Sequence, residues 1–498
     1  MMKYFENWCG NIENKKAFIK YPVDDDEIQK LIAIAKTNGN KIRVVGSSHS
    51  SSPVVCDNLE NIDLISLKNY RLVPSDIIID DINNIVTVNA GWTLGQLYDH
   101  LNINRYFLKT QPASSAFTIG GIVSMPIHGC RLGASCVAET MMGITLIDMD
   151  GNQINKTEAD KDFDLYRNSL GIFGIITSVS LKIEKINNLS IRVKCYENVF
   201  RQDGKINSYV VEDKLTEIIT ACYENDIKYH HSFMDFHNNS WTTMDWKTTQ
   251  EEPYIYIDTP EIQKIHMVNS VEDFHKYIVP NYRKNKKYLK ILGKIFTFSI
   301  VASVKKNSFE DHDMFWVATG TRVFFMSYFI PIHTEGDPID LTKLYTALEI
   351  IYETVNKSKI FNIDFPCDIR FVTSSSKSII SPISREKKTI FMAVDLTCSA
   401  ANIKFSNNET TTCFGNIFKS NNEILNKEFR NFYFTIEQKW IELGGVAHYA
   451  KIFGFRDSTL ELFDPAIVSQ IFPAEIKKIV QDNAQPLFMN NFVQRMFR

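Results

Sequence analysis

The nine cysteines, at positions 9, 56, 130, 136, 195, 222, 367, 398 and 413, include no CxxC pair, and their number is odd. That pattern excludes a zinc knuckle and offers no disulfide framework, so reduced thiols, a cytoplasmic setting and no metal site are expected. A basic surplus is missing too. The 55 Lys and Arg against 58 Asp and Glu leave a formal net charge of −3, which argues against a nucleic-acid partner. The amino terminus, MMKYFENWCGNIENKK, lacks the apolar core of a secretory leader. No apolar run reaches the ~20 residues a spanning helix needs. The nearest is Ile291 to Val304, which follows the basic run RKNKKYLK and is interrupted by Lys294. It reads as a buried helix or strand behind a solvated basic turn; the alternative is a helix on a membrane surface, giving peripheral membrane contact near 283–304. A Walker phosphate loop is also absent, because no Lys follows the glycine of IRVVGSSHSSSPV. There is no internal repeat and no low-complexity tract.

What is present suits a folded protein of two or three domains: 498 residues, 44% hydrophobic and 23% charged. Ile28, Leu31, Ile32 and Ala35 recur at helical spacing behind the acidic start Asp24 to Asp26, and Asn38-Gly39 ends that helix. A strand then runs into Gly46. Apolar runs follow at 62–67, 77–79 and 85–88, then a helix from AGWTLGQLYDHL. ITLIDMDGNQI reads as a hairpin turning at Asp150-Gly151, and SLGIFGIITSVSLKIEK as a glycine turn leading into a strand. From about 190 to 440 aromatic-rich strands (HHSFMDFHNNSWTTMDW, TRVFFMSYFIP, CDIRFVT, TIFMAVDLTCS) alternate with helices such as DLTKLYTALEIIYETVNKS. The fold class is α+β, with a second domain built on a sheet with helices beside it.

Four clusters carry candidate chemistry. The loop Val45, Gly46, Ser47, Ser48, His49 and Ser50 follows a strand and can turn backbone N–H groups towards an anion. The stretch Ser114 to Ser135 holds Gly120, Gly121, Ser124, His128, Gly129 and Gly133, glycines dense enough for backbone to approach a planar or phosphorylated ligand. Asp368 and Arg370 stand two apart, on one face if CDIRF is a strand. His448 and Lys451 follow a glycine pair. Each has a plain structural alternative: a turn, a bulge or helix cap, a surface ion pair, a hydrogen-bonded spacer.

In their order these stretches resemble the FAD-dependent sugar-lactone and alditol oxidases of the vanillyl-alcohol-oxidase/PCMH flavoproteins. The resemblance runs through NWCGN, YPVDDDEIQKLIAIA, KIRVVGSSHSSS, VTVNAGWTLGQLYDHL, TIGGIVSMPIHGCRLG, SLGIFGIITSVSLKI, CDIRFVTSSSKSIISP, AHYAK and AQPLFMNNFVQRMF. It covers nearly the whole chain and is weakest between about 195 and 320. It implies a two-subdomain PCMH-type FAD-binding domain over 1–188 and a substrate (cap) domain over 189–440 with a mainly antiparallel sheet flanked by helices. A segment over 441–498 would return to the FAD domain and complete the active site.

The resemblance also assigns roles. Val45 to Ser50 would hold the adenine and pyrophosphate of FAD, with Ser48 standing where the family has a second glycine. His49 would bond covalently to the flavin 8α-methyl group. Gly120, Gly121, Ser124, His128, Gly129, Gly171 and Ile175 would contact the cofactor. Ala116 occupies the place of the cysteine that makes a second tether in related enzymes, and Cys130 lies elsewhere in the motif. Met125-Pro126 replace smaller residues before His128-Gly129. Arg370 would stabilise charge developing on substrate and flavin, with Asp368, in place of the family's Glu, orienting it. Lys451 would reach the flavin N1/C2=O edge, and His448 would relay the hydroxyl proton. The implied partner is a small sugar lactone or polyol, oxidised at a CH–OH carbon by hydride transfer to flavin N5. Dioxygen would reoxidise the flavin to give hydrogen peroxide. The alternatives are a dehydrogenase of the superfamily using another acceptor, and a flavin-fold binding protein that has lost catalysis.

Overall fold

Asp24 caps the first helix, α1 (Asp25–Asn38): its side chain accepts from Glu27 N, and Gly39 closes the helix in the left-handed region at φ 67. Ile28, Ile32 and Ala35 are its buried stripe, as their spacing predicts. The computed structural model describes residues 4–57, 60–112, 114–224, 227–258, 286–307, 309–311, 323–399, 423–456 and 462–498. The helix crosses over a four-stranded sheet made of β1 (Tyr4–Glu6), β2 (Glu13–Lys20), β3 (Lys41–Val44) and β4 (Ile62–Ile65), in the order β1-β2-β4-β3. β4 pairs in parallel with both β2 and β3, the arrangement that a helical crossover permits.

A second, antiparallel sheet follows. Its strands are β5 (Ile77–Asp80), β6 (Ile85–Asn89), β7 (Tyr106–Leu108), β8 (Met141–Ile147), β9 (Gln153–Thr157) and β10 (Ile175–Lys185). The order is β5-β6-β10-β8-β9, with β7 also on β10. β8 and β9 form the expected hairpin, with Gly151 at φ 85 in the turn. Two helices accompany this sheet: α2 (Leu94–Ile103), opened by a Thr93–Gln96 capping box, and the short α3 (Ile119–Ser124). The two sheets are the two subdomains that the resemblance implies.

The third sheet has eight strands: β11 (Asn188–Glu197), β12 (Tyr229–Asp235), β13 (Ser240–Thr249), β14 (Ile255–Asp258), β15 (Val323–Thr334), β16 (Cys367–Thr373), β17 (Thr389–Ser399) and β18 (Val446–Ala447). They lie in the order β14-β11-β13-β12-β16-β17-β15-β18, antiparallel throughout except for β11 with β14. The helices of this domain are α4 (Ser208–Glu224), α5 (Lys286–Asn307), α6 (Thr342–Lys357) and α7 (Glu423–Glu442). α4, α6 and α7 cover one face, burying Met326, Tyr328, Ile369, Phe371 and Val394. Strand alternation turns the intervening residues to the other face: His231 and Phe233 on β12, Asp368 and Arg370 on β16, Asp395 on β17, Ser327 and Phe329 on β15.

The apolar run at Ile291 to Val304 lies in α5. Leu292, Ile295, Val301 and Val304 are buried, and Phe296 sets its ring edge-on against Phe233 and Phe365 at 5.7 and 5.2 Å. Lys286, Lys287, Lys290 and Lys294 are exposed, so the outward side of α5 is basic and its apolar side serves the core. Residues 283–285 of the expected membrane contact lie outside the described residues. No helix among the described residues is long and apolar enough to cross a membrane.

Past residue 441 the chain runs back to the first domain. Asn490 Nδ2 donates to Pro53 O at 2.8 Å, and Arg43 Nη1 donates to Phe488 O at 2.7 Å.

Candidate active site

The loop after β3 is bonded at its two ends and open between them. Val45 N donates to Ile65 O, and Ser51 N donates to Ala450 O. The amides of Gly46, Ser47, Ser48, His49 and Ser50 have no protein acceptor among the described residues. Such a run of free N–H groups is a nest for an anion. Ser48 sits at φ 59, in the left-handed region that favours glycine. The serine that replaces the family's glycine therefore keeps the glycine backbone. Its O accepts from Trp8 N at 2.7 Å, which ties the amino-terminal NWCGN stretch onto the loop.

His49 lies between two aromatic rings. Trp8 stacks on it at 5.2 Å, and Phe117 meets it edge-on at 4.9 Å. Its Nδ1 is buried without a hydrogen-bond partner among the described residues. Burial, helped by the charge of Lys451, pushes its pKa down to about 4, so the ring is neutral with a free nitrogen. A neutral, unpartnered imidazole nitrogen is what a bond to an electrophilic flavin methyl group requires. Together with the amide nest, this fits FAD.

The glycine-rich stretch behaves partly as expected. A Cβ on Gly129 would lie 2.3 Å from Gln111 O, so the close approach there is between two pieces of this chain's own backbone. Gly120 N donates to Ala90 O, and Ser124 Oγ bonds back to Gly120 O within α3. Gly121 is exposed beside the loop, and a Cβ there would touch Thr118 Oγ1. Gly171 takes φ 67 in the turn before β10. Ile175 is fully buried and paired with Ile147, which places it in the sheet rather than in the loop. The Cys130 thiol is pushed up to about 12 by burial and stays protonated.

On the third sheet Asp368 and Arg370 do share a face, and they pair with each other. Arg370 Nε donates to Asp368 Oδ1 at 3.2 Å and Nη2 donates to Oδ2, a bidentate contact between two buried side chains. The guanidinium and His231 hold the Asp368 carboxyl well below the usual range against the opposing effect of burial. Across the next strand Asp395 faces Asp368 directly, with Ser327 beyond it on β15. Burial and the Asp368 charge raise the proton affinity of Asp395.

The turn after β18 brings His448 and Lys451 to the same place. His448 N donates to Ser327 O, and Lys451 N donates to His448 O. Lys451 Nζ lies 4.4 Å from the centre of the Phe325 ring, and burial lowers its pKa. Its charge acts on His49, Asp395 and Arg370 alike. His448 stacks on Phe329 at 5.7 Å and stands 6.4 Å from His128, ring to ring. His448 Nδ1 accepts from Ala450 N at 3.3 Å, and burial with the Lys451 charge keeps the ring neutral. Its proton therefore sits on Nε2, which makes His448 a donor at its other edge.

Sequence reasoning missed several members of this constellation. Arg43 is buried and donates to Val54 O, Phe488 O and Leu170 O, joining the loop, the tail and the turn before β10. Its only signal was its place in KIRVVG. Trp8, His231 and Asp395 join only through tertiary packing and strand order.

Comparisons with known proteins agree with this geometry. Residues 17–156 match the FAD binding domain family. Mouse L-gulonolactone oxidase is 26% identical over 180 residues, 36% of this chain and 40% of that protein. A putative D-arabinono-1,4-lactone oxidase of Neurospora crassa is 29% identical over 178 residues, 35% of this chain and 31% of that protein. The L-gulono-1,4-lactone dehydrogenase of Mycobacterium tuberculosis is 27% identical over 182 residues, 36% of this chain and 41% of that protein. These matches span less than half the length of each relative. A solvent-stable cholesterol oxidase shares the fold over all of this chain and 98% of its own, with a TM-score of 0.75 at 16% identity. A second cholesterol oxidase, from B. sterolicum, does so with a TM-score of 0.71 at 13% identity over 97% of its own chain. Residues 17–156 therefore form a domain of the FAD binding domain family, similar over that region to the lactone oxidases, within a fold shared end to end with cholesterol oxidases.

Proposed function

We propose that this protein is an FAD-linked oxidoreductase that oxidises a CH–OH group of a sugar lactone or polyol, with dioxygen as the final acceptor. The observation that carries the reading is the convergence of charge at one place: buried Asp368 and Arg370 and half-buried Asp395 and Lys451 meet beside the loop that holds His49. Bound FAD supplies an acceptor for hydride at N5 and passes the electrons on. The amides of Gly46 to Ser50 would hold its pyrophosphate, and His49 Nδ1 is the atom available for a covalent bond.

The chain's own residues do the rest. Arg370, held flat by Asp368, donates to the substrate oxygen and stabilises the negative charge that develops there as the hydroxyl proton leaves. His448 adds a second donor through Nε2–H. The hydroxyl proton needs an acceptor, and two candidates face the site. His128 is pushed down to about 3, chiefly by burial, and is too weak a base at neutral pH. Asp395 lies on the sheet face that carries Arg370, directly across from Asp368, and its proton affinity is raised by burial and by the Asp368 charge. Asp395 is the acceptor. Lys451, opposite it, balances the charge left after transfer.

Anaerobic mixing with aldonolactones and alditols tests the reading. Substrate that bleaches the yellow absorbance, followed by peroxide when air is admitted, supports it. Bleaching without peroxide, relieved only by an added dye, would replace dioxygen with another acceptor. A fully loaded flavin that no such substrate bleaches would favour a scaffold without catalysis.

A further inference from the structure

Asp368 is one methylene shorter than the glutamate expected at its position, and a third side chain steadies it. His231 on β12, the strand beside β16, places Nε2 2.7 Å from Asp368 Oδ1. Arg370 holds the same carboxylate through Nε and Nη2, and its Nε lies 3.3 Å from His231 Nε2. A carboxylate held by a guanidinium only accepts, so the short contact requires the imidazole proton to be on Nε2. Arg370 Nε–H is then served by Asp368 Oδ1 and not by the ring. All three side chains are buried, where a lost hydrogen bond to a charge is most costly.

We propose that His231 is a positioning residue for the reaction: its Nε2–H fixes the Asp368 carboxylate and, through it, the plane of the Arg370 guanidinium. Among the described residues, the charged and titratable groups that act on it come from three strands. Asp368 and Arg370 come from β16, Asp395 acts from β17, and His230 is its neighbour on β12. Met244 is its partner on β13, and Phe233 lies 4.5 Å away, ring to ring. Burial outweighs the two aspartates and lowers the pKa of His231, so it acts as a neutral donor. The role rests on the proposed alcohol oxidation, because it is the reacting oxygen that Arg370 must meet.

The test compares His231→Leu, which has no donor, with His231→Gln, whose amide can stand in for Nε2–H. Both are measured in the flavin-loaded protein by the rate of anaerobic flavin reduction across pH. His231→Leu is expected to slow reduction roughly ten- to a hundredfold, the effect of losing a hydrogen bond to a buried charge. Its acid limb should move to higher pH, because Asp368 has lost a donor. His231→Gln should recover most of the rate. Equal loss in both variants, or a His231→Leu profile that matches the parent, would overturn the proposal. A measurement without folding risk uses the parent protein labelled with 15N-histidine, the His231 signal being assigned by its loss in His231→Gln. A neutral ring protonated on Nε2 is expected, and a proton on Nδ1 would overturn the proposal. If no substrate bleaches the parent flavin, the proposed function fails, and the tautomer still decides whether His231 holds Asp368.

Discussion

Ser51 N donates to Ala450 O at 2.8 Å, and Ser52 Oγ donates to Tyr449 O beside it. The loop carrying His49 and the turn carrying His448 and Lys451 are therefore one structural unit, though they stand at opposite ends of the chain. Cofactor loop and charge cluster are held in register by backbone hydrogen bonds, so a disturbance on one side should be felt on the other.

The first consequence concerns His49. Its free Nδ1 and neutral ring predict a covalent flavin. Acid precipitation should leave the yellow colour in the protein pellet, and His49→Ala should release all of it to the supernatant. Parent and variant behaving alike would remove the tether.

Asp395 and Arg370 are expected to fail in different ways. Asp395→Asn keeps the shape but cannot take a proton, and flavin reduction should fall by roughly a hundredfold or more. Arg370→Lys keeps the charge but loses the bidentate contact with Asp368, and a fall on the order of a hundredfold is expected. Stopped-flow reduction measures both, with flavin content confirming that the cofactor site survives.

Ser48 tests the loop itself. Relief of its left-handed backbone by glycine is worth about 1–2 kcal/mol, partly offset by the greater freedom of glycine in the unfolded chain. Ser48→Gly should raise thermal stability slightly. Ser48→Val should lower it by about 2 kcal/mol, since a β-branched residue tolerates this conformation poorly. A shift in the melting temperature of the two variants in the same direction would contradict the assignment.

A pH effect on stability is expected from Glu437. It accepts from Tyr328 Oη, Gly454 N and Phe455 N just beyond Lys451, yet burial pushes its carboxyl up to about 7. The folded protein binds this proton more tightly than the unfolded chain, whose carboxyl titrates near 4.5. Stability contributed by the proton is full below pH 4.5 and is lost as pH rises to about 7, on the order of 3 kcal/mol in all. Denaturant melts of the parent and Glu437→Gln across this range should differ in slope, the variant being flatter.

Much of this was legible in the sequence because the signals were local. The cap and stop of α1, the Asp150-Gly151 turn and the strand that places Asp368 with Arg370 all depend on residues within a few positions of one another. Asp395 and His231 were not legible, since their closeness to Asp368 comes from the order β12-β16-β17, which no single strand reveals. The tautomer of His448 was hidden for the same reason: it depends on where Ala450 N points. A glycine at 129 suggests room for a ligand, and that room is taken by the Gln111 backbone.

Anaerobic flavin reduction by a sugar lactone or polyol, compared between the parent and Asp395→Asn, bears most directly on the proposed chemistry. The expected result is rapid bleaching in the parent and bleaching slowed by roughly a hundredfold in the variant, with flavin content unchanged. A parent whose full complement of flavin stays yellow with every lactone and polyol, or a variant that bleaches as fast as the parent, would contradict it.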